Sequence, residues 1–451
     1  MDDKTQSIRN INRALLEPGA VPLWANDLRY QYVIDTKYSR PRSVKEIIGY
    51  DPVRVFKLRE QAQAATDDEA RFRCISCGCP LNILHTTDRG GFYFKHKRHI
   101  ESCPIKDEQS LPPNVLKAKK FNGRQESAAH EFMKSLLYQL LVCDPRFSDE
   151  TLDTRRNDSG TKDWRKPDVG GVFQGKKVVF EIQLATELLE IIRARREFYI
   201  RNDTLLVWVF QEFSFDNARA SDLDILNSNN NNILVLSEDA VDTSLKRGEL
   251  YLSCRWQTPT LHGGSIHRPP DEGVFNFAEL VKNYKTSQIY HFDFEKTDKL
   301  VKQELFTQIW SSEKLDQWDD KKAAEIIKQC LGLHIEAPKN LARFLHMLWV
   351  AKTGGKSGWE YSADAVLHKL YDRYPDFAFL YLCAFDAYAR NMPDKNGKVA
   401  PKRKIIEKSL AAHVTSPSPY FPNLDFEEVV QALFPEAYEH CTKKLNELIL
   451  K

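Results

Sequence analysis

A mixed α/β core, preceded by a small cysteine/histidine module and followed by an all-helical domain, is the fold class this sequence predicts. Three observations carry it. Between residues 125 and 210 the apolar pattern passes from helical spacing to two strand-like runs, back to helix and then to strand. Ahead of that stretch, Cys74, Cys77, Cys79, His96 and Cys103 lie close together in a chain whose five later cysteines are scattered singly. From Lys299 onward, Leu, Ala, Ile and aromatic residues recur at helical spacing with few strand signals, which suggests roughly five to seven helices.

The bulk properties set the limits. At 451 residues the chain is long enough for several domains, and 42% hydrophobic with 28% charged residues is ordinary globular usage. Sixty-five Lys and Arg against 63 Asp and Glu leave a formal charge of +2, so contacts to a polyanion must come from local clustering. No apolar stretch approaches the ~18 residues of a membrane span, and the first ten residues lack a signal peptide's apolar core. A cytoplasmic protein without a membrane partner is expected.

In chain order, residues 1–70 mix a strand-like patch, Arg29–Ile34, with a helix-like run from Ser43 to Ala64 that breaks at Asp51-Pro52. No chemistry is legible there. Residues 71–110 hold the cysteine cluster. Cys74-x2-Cys77 is followed after 18 residues by His96 and after six more by Cys103, so two knuckles can each offer two ligands. A tetrahedral set of thiolates and imidazole is what structural Zn2+ takes, and its binding folds a segment too short for a core of its own. Cys79, His85 and His99 are alternative ligands.

A basic linker carrying Lys117, Lys119, Lys120 and Arg124 leads into the core of residues 115–240. Its first helix, Gln125–Leu141, has Ala128, Phe132, Leu136, Leu137, Leu140 and Leu141 on one face and carries Glu126, His130, Glu131 and Lys134. Asp168–Phe173 and Lys177–Leu184 read as a hairpin turning at Gly175, followed by a helix rich in arginine and by the strand Leu205–Phe210. Ile233–Leu236 would extend the sheet, with Asn227–Asn232 as an exposed turn. Residues 241–295 form an extension with a strand at Leu250–Trp256 and the loop-like HGGSIHRPPDEG. Residues 296–451 are the helical domain, whose Trp349, Tyr371, Phe377 and Tyr381 are expected to pack its core. The single cysteines, Cys143, Cys254, Cys330, Cys383 and Cys441, are expected to be core residues too.

The most informative stretch is WRKPDVGGVFQGKKVVFEIQLATE. Alternation puts Glu181 and Gln183 on one face of their strand, and the hairpin brings Asp168 alongside Glu181. Two carboxylates in one small volume favour a cation, and hard oxygen ligands suit Mg2+ or Mn2+, which activates water for attack on a phosphodiester. The plainer alternative is a pair of solvated strand-end acids.

These residues resemble the Asp, then Glu-x-Lys pattern of the PD-(D/E)XK nuclease superfamily. More narrowly, the zinc knuckle, ESAAHEFMK, KPDV, FEIQLA and the helix with Arg193 and Tyr199 look like the competence protein CoiA-like family over about residues 72–210. The resemblance implies a restriction-endonuclease-like core acting on DNA. It makes Asp168, Glu181 and Gln183 catalytic, with Glu126 or Glu131 as the helix acid. Gln183 stands where the superfamily carries lysine; an amide orients water but brings no charge. Lys134, Lys177 and Arg193 are the candidate cations, Lys134 first.

With Lys117, Lys119, Lys120 and Arg124, Arg193 and Arg196 are the candidate phosphate contacts. The form of the strand is left open, RNA included, as is assembly into a homodimer. Two alternatives stand beside the nuclease: an inactive nuclease fold that binds nucleic acid, and a protein that binds a partner through its helical C-terminal domain.

Overall fold

The computed structural model describes residues 17–19, 21–25, 28, 30–86, 91–98, 100, 103, 128–158, 160–184, 187–312, 319–336, 338–354, 362–390, 392, 397–423 and 425–449. The chain divides into two compact units, Met1–Thr260 with His267–Asp298, and Leu261–Ile266 with Lys299–Lys451.

The first unit begins with β1 (Tyr32–Asp35) and β2 (Arg40–Ser43), two short helices, α1 (Val44–Ile48) and α2 (Pro52–Ala64), and β3 (Phe72–Cys74). Asp51 caps α2 by accepting the Val53 amide at 3.1 Å, and Pro52 sits at its first position, where the missing N–H costs nothing. The break expected at Asp51-Pro52 is therefore a helix start. The strand β1 pairs with both β2 and β3, Val33 lying opposite Cys74. The hairpin of β4 (Leu81–Thr86) and β5 (Gly91–His96) packs into the same core through Phe92 and Phe94. Residues before 71 thus complete the cysteine module rather than standing apart from it.

The helix α3 (Ala128–Cys143) covers one face of a seven-stranded mixed sheet. Beside that sheet's β6 (Phe147–Leu152) a small ribbon forms from β7 (Arg156–Asn157) and β8 (Trp164–Arg165). The hairpin of β9 (Val169–Phe173) and β10 (Lys176–Gln183) then turns at Gln174-Gly175, both with positive φ, 48° and 79°. A two-residue turn of that hand is the one that matches strand twist, and glycine takes it without strain. After α4 (Leu189–Arg201) come β11 (Thr204–Phe210), α5 (Ala220–Ser228), β12 (Asn232–Val235), α6 (Glu238–Arg247) and β13 (Tyr251–Gln257). A short hairpin, β14 (Thr260–His262) and β15 (Ser265–His267), precedes β16 (Pro270–Asn276). The sheet order is β16-β13-β12-β11-β10-β9-β6, parallel from β10 to β12 and antiparallel elsewhere.

Several expectations are corrected. Asn227–Asn232 is not an exposed turn, since Asn227, Asn230, Asn231 and Asn232 are buried. Asparagine tolerates left-handed backbone, as at Asn230 and Asn231, and its amide imitates a peptide group. Asn229 donates to the Ile289 carbonyl and accepts its amide, both at 2.7 Å, while Asn232 donates to the Phe292 carbonyl at 2.8 Å and accepts from His291 and Phe292. The run is a strut for residues 289–292. HGGSIHRPPDEG is largely strand, and Arg268 within it is buried between Asp51 and Asp298. Phe132 is 66% exposed, and Cys143 is exposed rather than core.

Apart from Leu261–Ile266, which belong to the β14–β15 hairpin, the second unit is helical. The helix α7 (Phe294–Ser312) leads into it, followed by α8 (Asp320–Leu331), α9 (Leu341–Thr353), α10 (Ala363–Arg373), α11 (Pro375–Ala387), α12 (Val399–Ala411), α13 (Glu427–Leu433) and α14 (Pro435–Ile449). Among the described residues the count exceeds the expected five to seven because Pro375 and Pro435 each start a new helix directly after its neighbour. Phe344, Phe377, Tyr381, Phe426 and Phe434 fill its core, with Trp349 and Tyr371 packed against it. Among the described residues no helix is long and apolar enough to cross a membrane.

Candidate metal centre and carboxylate site

Cys74 leaves the end of β3 and Cys77 follows in the turn after it. The turn is held by the Gly78 amide donating to the Cys74 carbonyl and the Cys74 amide donating to the Cys79 carbonyl, both 2.9 Å. His96 ends β5, which pairs with β4, so the hairpin register delivers its ring to the knuckle. Cys103 closes the set. The ligand atoms of Cys74, Cys77, His96 and Cys103 all lie within 4.8 Å of one another, with Cys74 Sγ to Cys103 Sγ at 3.8 Å and Cys77 Sγ to His96 Nε2 at 3.3 Å. The other ring nitrogen, Nδ1, is 3.0 Å from the Tyr30 hydroxyl. A hydrogen bond there fixes ring orientation, as partners of metal-bound imidazoles do. Burial raises the Cys77 thiol pKa, but hydrogen bonds from Cys79, Cys103 and Cys74 outweigh it and bring the pKa below its usual value. These four residues could hold a metal ion such as zinc. Of the alternatives, Cys79 and His85 lie outside the set. His85 packs on Phe92, and burial with the Arg59 charge holds its pKa down to about 4. His99 is outside the described residues.

The second constellation lies at the ends of β9 and β10. Phe180 pairs with Val169, so the next step of the ladder sets Glu181 beside Asp168. Asp168 Oδ2 accepts the Ile182 amide at 2.7 Å and lies 3.3 Å from His130 Nε2 of α3. Glu181 is 2% exposed. Arg195 of α4 forms an ion pair with its Oε2, and the Tyr199 hydroxyl donates to Oε1 at 3.3 Å. Burial pushes the Glu181 pKa up to about 7, with Arg195 pulling the other way and the Asp168 charge adding to the rise. Gln183 is buried at the end of the same strand.

Lys134 is fully buried, its ammonium 2.7 Å from Asp153 and 3.3 Å from Glu131, which is otherwise exposed. Asp153 also pairs with Lys166 at 3.1 Å, and its amide donates to the Asp168 carbonyl at 3.1 Å. The cation that meets Glu181 is therefore Arg195, which the sequence does not single out, rather than Lys134. Asp153 was likewise missed; the sole signal was its place in a polar segment. The candidate phosphate contacts fare differently: Arg193 pairs with Glu197 and Arg196 with Glu60 of α2, and each is largely covered. Glu126, Lys117, Lys119, Lys120 and Arg124 lie outside the described residues.

Two family models match the chain: one described as a domain of unknown function (DUF7830) over residues 40–110, the other as a domain of unknown function (DUF6035) over residues 115–295. No curated protein and no solved structure matches.

Proposed function

We propose that the chain is a metal-dependent nuclease that hydrolyses phosphodiester bonds of DNA. Its core would be restriction-endonuclease-like, resembling the PD-(D/E)XK superfamily and its CoiA-like members, and its Cys/His module would hold structural Zn2+. The observation that carries this reading is the side-by-side placement of Asp168 and Glu181 at adjacent strand ends. Carboxylates are the donors that Mg2+ and Mn2+ prefer, so the residues fit such an ion, provided Glu181 exchanges Arg195 for it. When bound, such an ion supplies activated water and offsets charge on the phosphate.

The chain's own residues do the positioning. The Ile182 amide fixes the Asp168 carboxylate, Tyr199 orients Glu181, and the Gln183 amide would orient a water without taking its proton. His130, against Asp168, is the group placed to hold a proton there. The burial of Glu181 excludes water from one side of the pair.

A second reading, a fold that binds nucleic acid without cutting it, is favoured by the Arg195 ion pair on Glu181 and by glutamine in place of lysine. Incubating labelled single-stranded DNA, duplex DNA and RNA with Mg2+ or Mn2+ separates the two. Metal-dependent cutting supports hydrolysis, and binding without cutting supports the second reading.

A further inference from the structure

The segment between β6 and β9 forms a small hairpin that springs from the carboxylate site. Its base is closed by the Asp153 amide on the Asp168 carbonyl, 3.1 Å, and by the Lys166–Asp153 ion pair, so only Lys166 and Pro167 separate its second arm from the site acid. Arg156 pairs with Arg165 and Asn157 with Trp164. Alternation turns Arg156 and Arg165 toward the body. Arg156 donates to Thr151 at 2.9 Å and lies where a side chain on Gly170 would have to be, and Arg165 lies over the Phe198 ring at 5.4 Å. Arg201 of α4 braces the tip through Asp158 at 3.1 Å.

The opposite face presents Trp164. It is 48% exposed and, among the described residues, the only exposed tryptophan. An indole that burial would favour is thus held in solvent by a braced strand, with the Arg155 guanidinium over its ring at 4.6 Å. Arg155, Lys162 and Lys166 are exposed around it. An aromatic face interleaved with cations is the arrangement that stacks a base and meets the flanking phosphates. Only an unpaired strand offers a free base face; in a duplex the faces are stacked and only groove edges and phosphates are accessible.

We propose that this hairpin is a docking element for single-stranded nucleic acid, stacking a base on Trp164 and leading the strand toward Asp168. The direction of travel rests on the nuclease reading; the binding itself does not. The test is fluorescence anisotropy of the full chain with a labelled oligothymidylate, without added divalent cation, beside a duplex of equal length. Trp164→Ala should weaken single-strand binding about tenfold, with Trp164→Phe close to wild type. Lys162→Ala should lower the slope of log K against log salt by about 0.7. Thermal melting checks that each variant is folded.

Unchanged affinity in Trp164→Ala overturns the proposal, as does an equal loss on duplex, or a wild type that binds no single strand and keeps the hairpin for a protein partner. Cleavage followed in parallel keeps the two readings apart. A chain that cuts DNA while Trp164→Ala binds normally sinks the hairpin and leaves the nuclease. A chain that binds through Trp164 yet cuts nothing does the reverse.

Discussion

The Arg195 guanidinium reaches from α4 onto the buried Glu181 carboxylate and offsets part, but not all, of the cost of burying that charge. An acid with 2% exposure would otherwise carry its charge without water.

A pH dependence follows. The Glu181 pKa stands at about 7 against a usual 4.5, raised by burial. Between those values the folded protein keeps a proton that the unfolded chain has shed, so this group's contribution to stability is full at low pH and declines as pH rises through the window. Glu181→Gln, which cannot titrate, should lack that decline. Relative to wild type it should gain on the order of 3 kcal/mol between pH 4.5 and pH 7. Urea unfolding in metal-free buffer at a series of pH values reads this difference, and a constant offset would refute it.

The Cys/His module makes a second prediction. Because the four ligands join β3, β5 and the segment at Cys103, a bound ion should tie the first unit's N-terminal core together. Elemental analysis should find about one zinc per chain, and Cys77→Ser should lose it. The same change should cost about 4 kcal/mol or more, the stabilisation expected at a thousandfold excess of metal over its dissociation constant. Tyr30→Phe should keep the metal but release it to a chelator 10–100-fold more readily. A metal-free wild type that melts normally would count against the site.

The asparagine run supplies a third. Asn229 exchanges two hydrogen bonds with Ile289 and donates a further one to Asn232. Asn229→Ala should therefore destabilise the first unit by about 2–3 kcal/mol, since buried peptide groups at residue 289 lose their partner. A change within ~0.5 kcal/mol would mean the run is a surface turn after all.

What the sequence made legible was local. Periodicity placed α3, the β9–β10 hairpin and β11, and ligand spacing picked out Cys74, Cys77, His96 and Cys103, because those signals sit within a few turns of chain or in a characteristic gap. The hairpin also brought Asp168 to Glu181. Long-range partners were not legible. Nothing in the sequence ties Arg195 to Glu181 across the α4–β10 packing, Tyr30 to His96 across 66 positions, or Asn229 to Ile289 across 60. Polarity does not mean exposure for the asparagines, because their amides are satisfied by backbone partners. Trp164 was passed over inside a polar stretch, since exposure of one ring is a tertiary fact.

The claim that Asp168 and Glu181 act together on a phosphodiester is tested most directly by Asp168→Asn. Asparagine keeps the size of the side chain and an oxygen for the Ile182 amide, so the fold should persist while one carboxylate charge is lost. Cleavage of labelled DNA is followed across Mn2+ concentrations for wild type and variant. Wild type should cut in a metal-dependent way and Asp168→Asn at least a hundredfold more slowly at every concentration, with unchanged melting. Equal rates in the two proteins, or a wild type that leaves DNA and RNA intact with every metal, would contradict it.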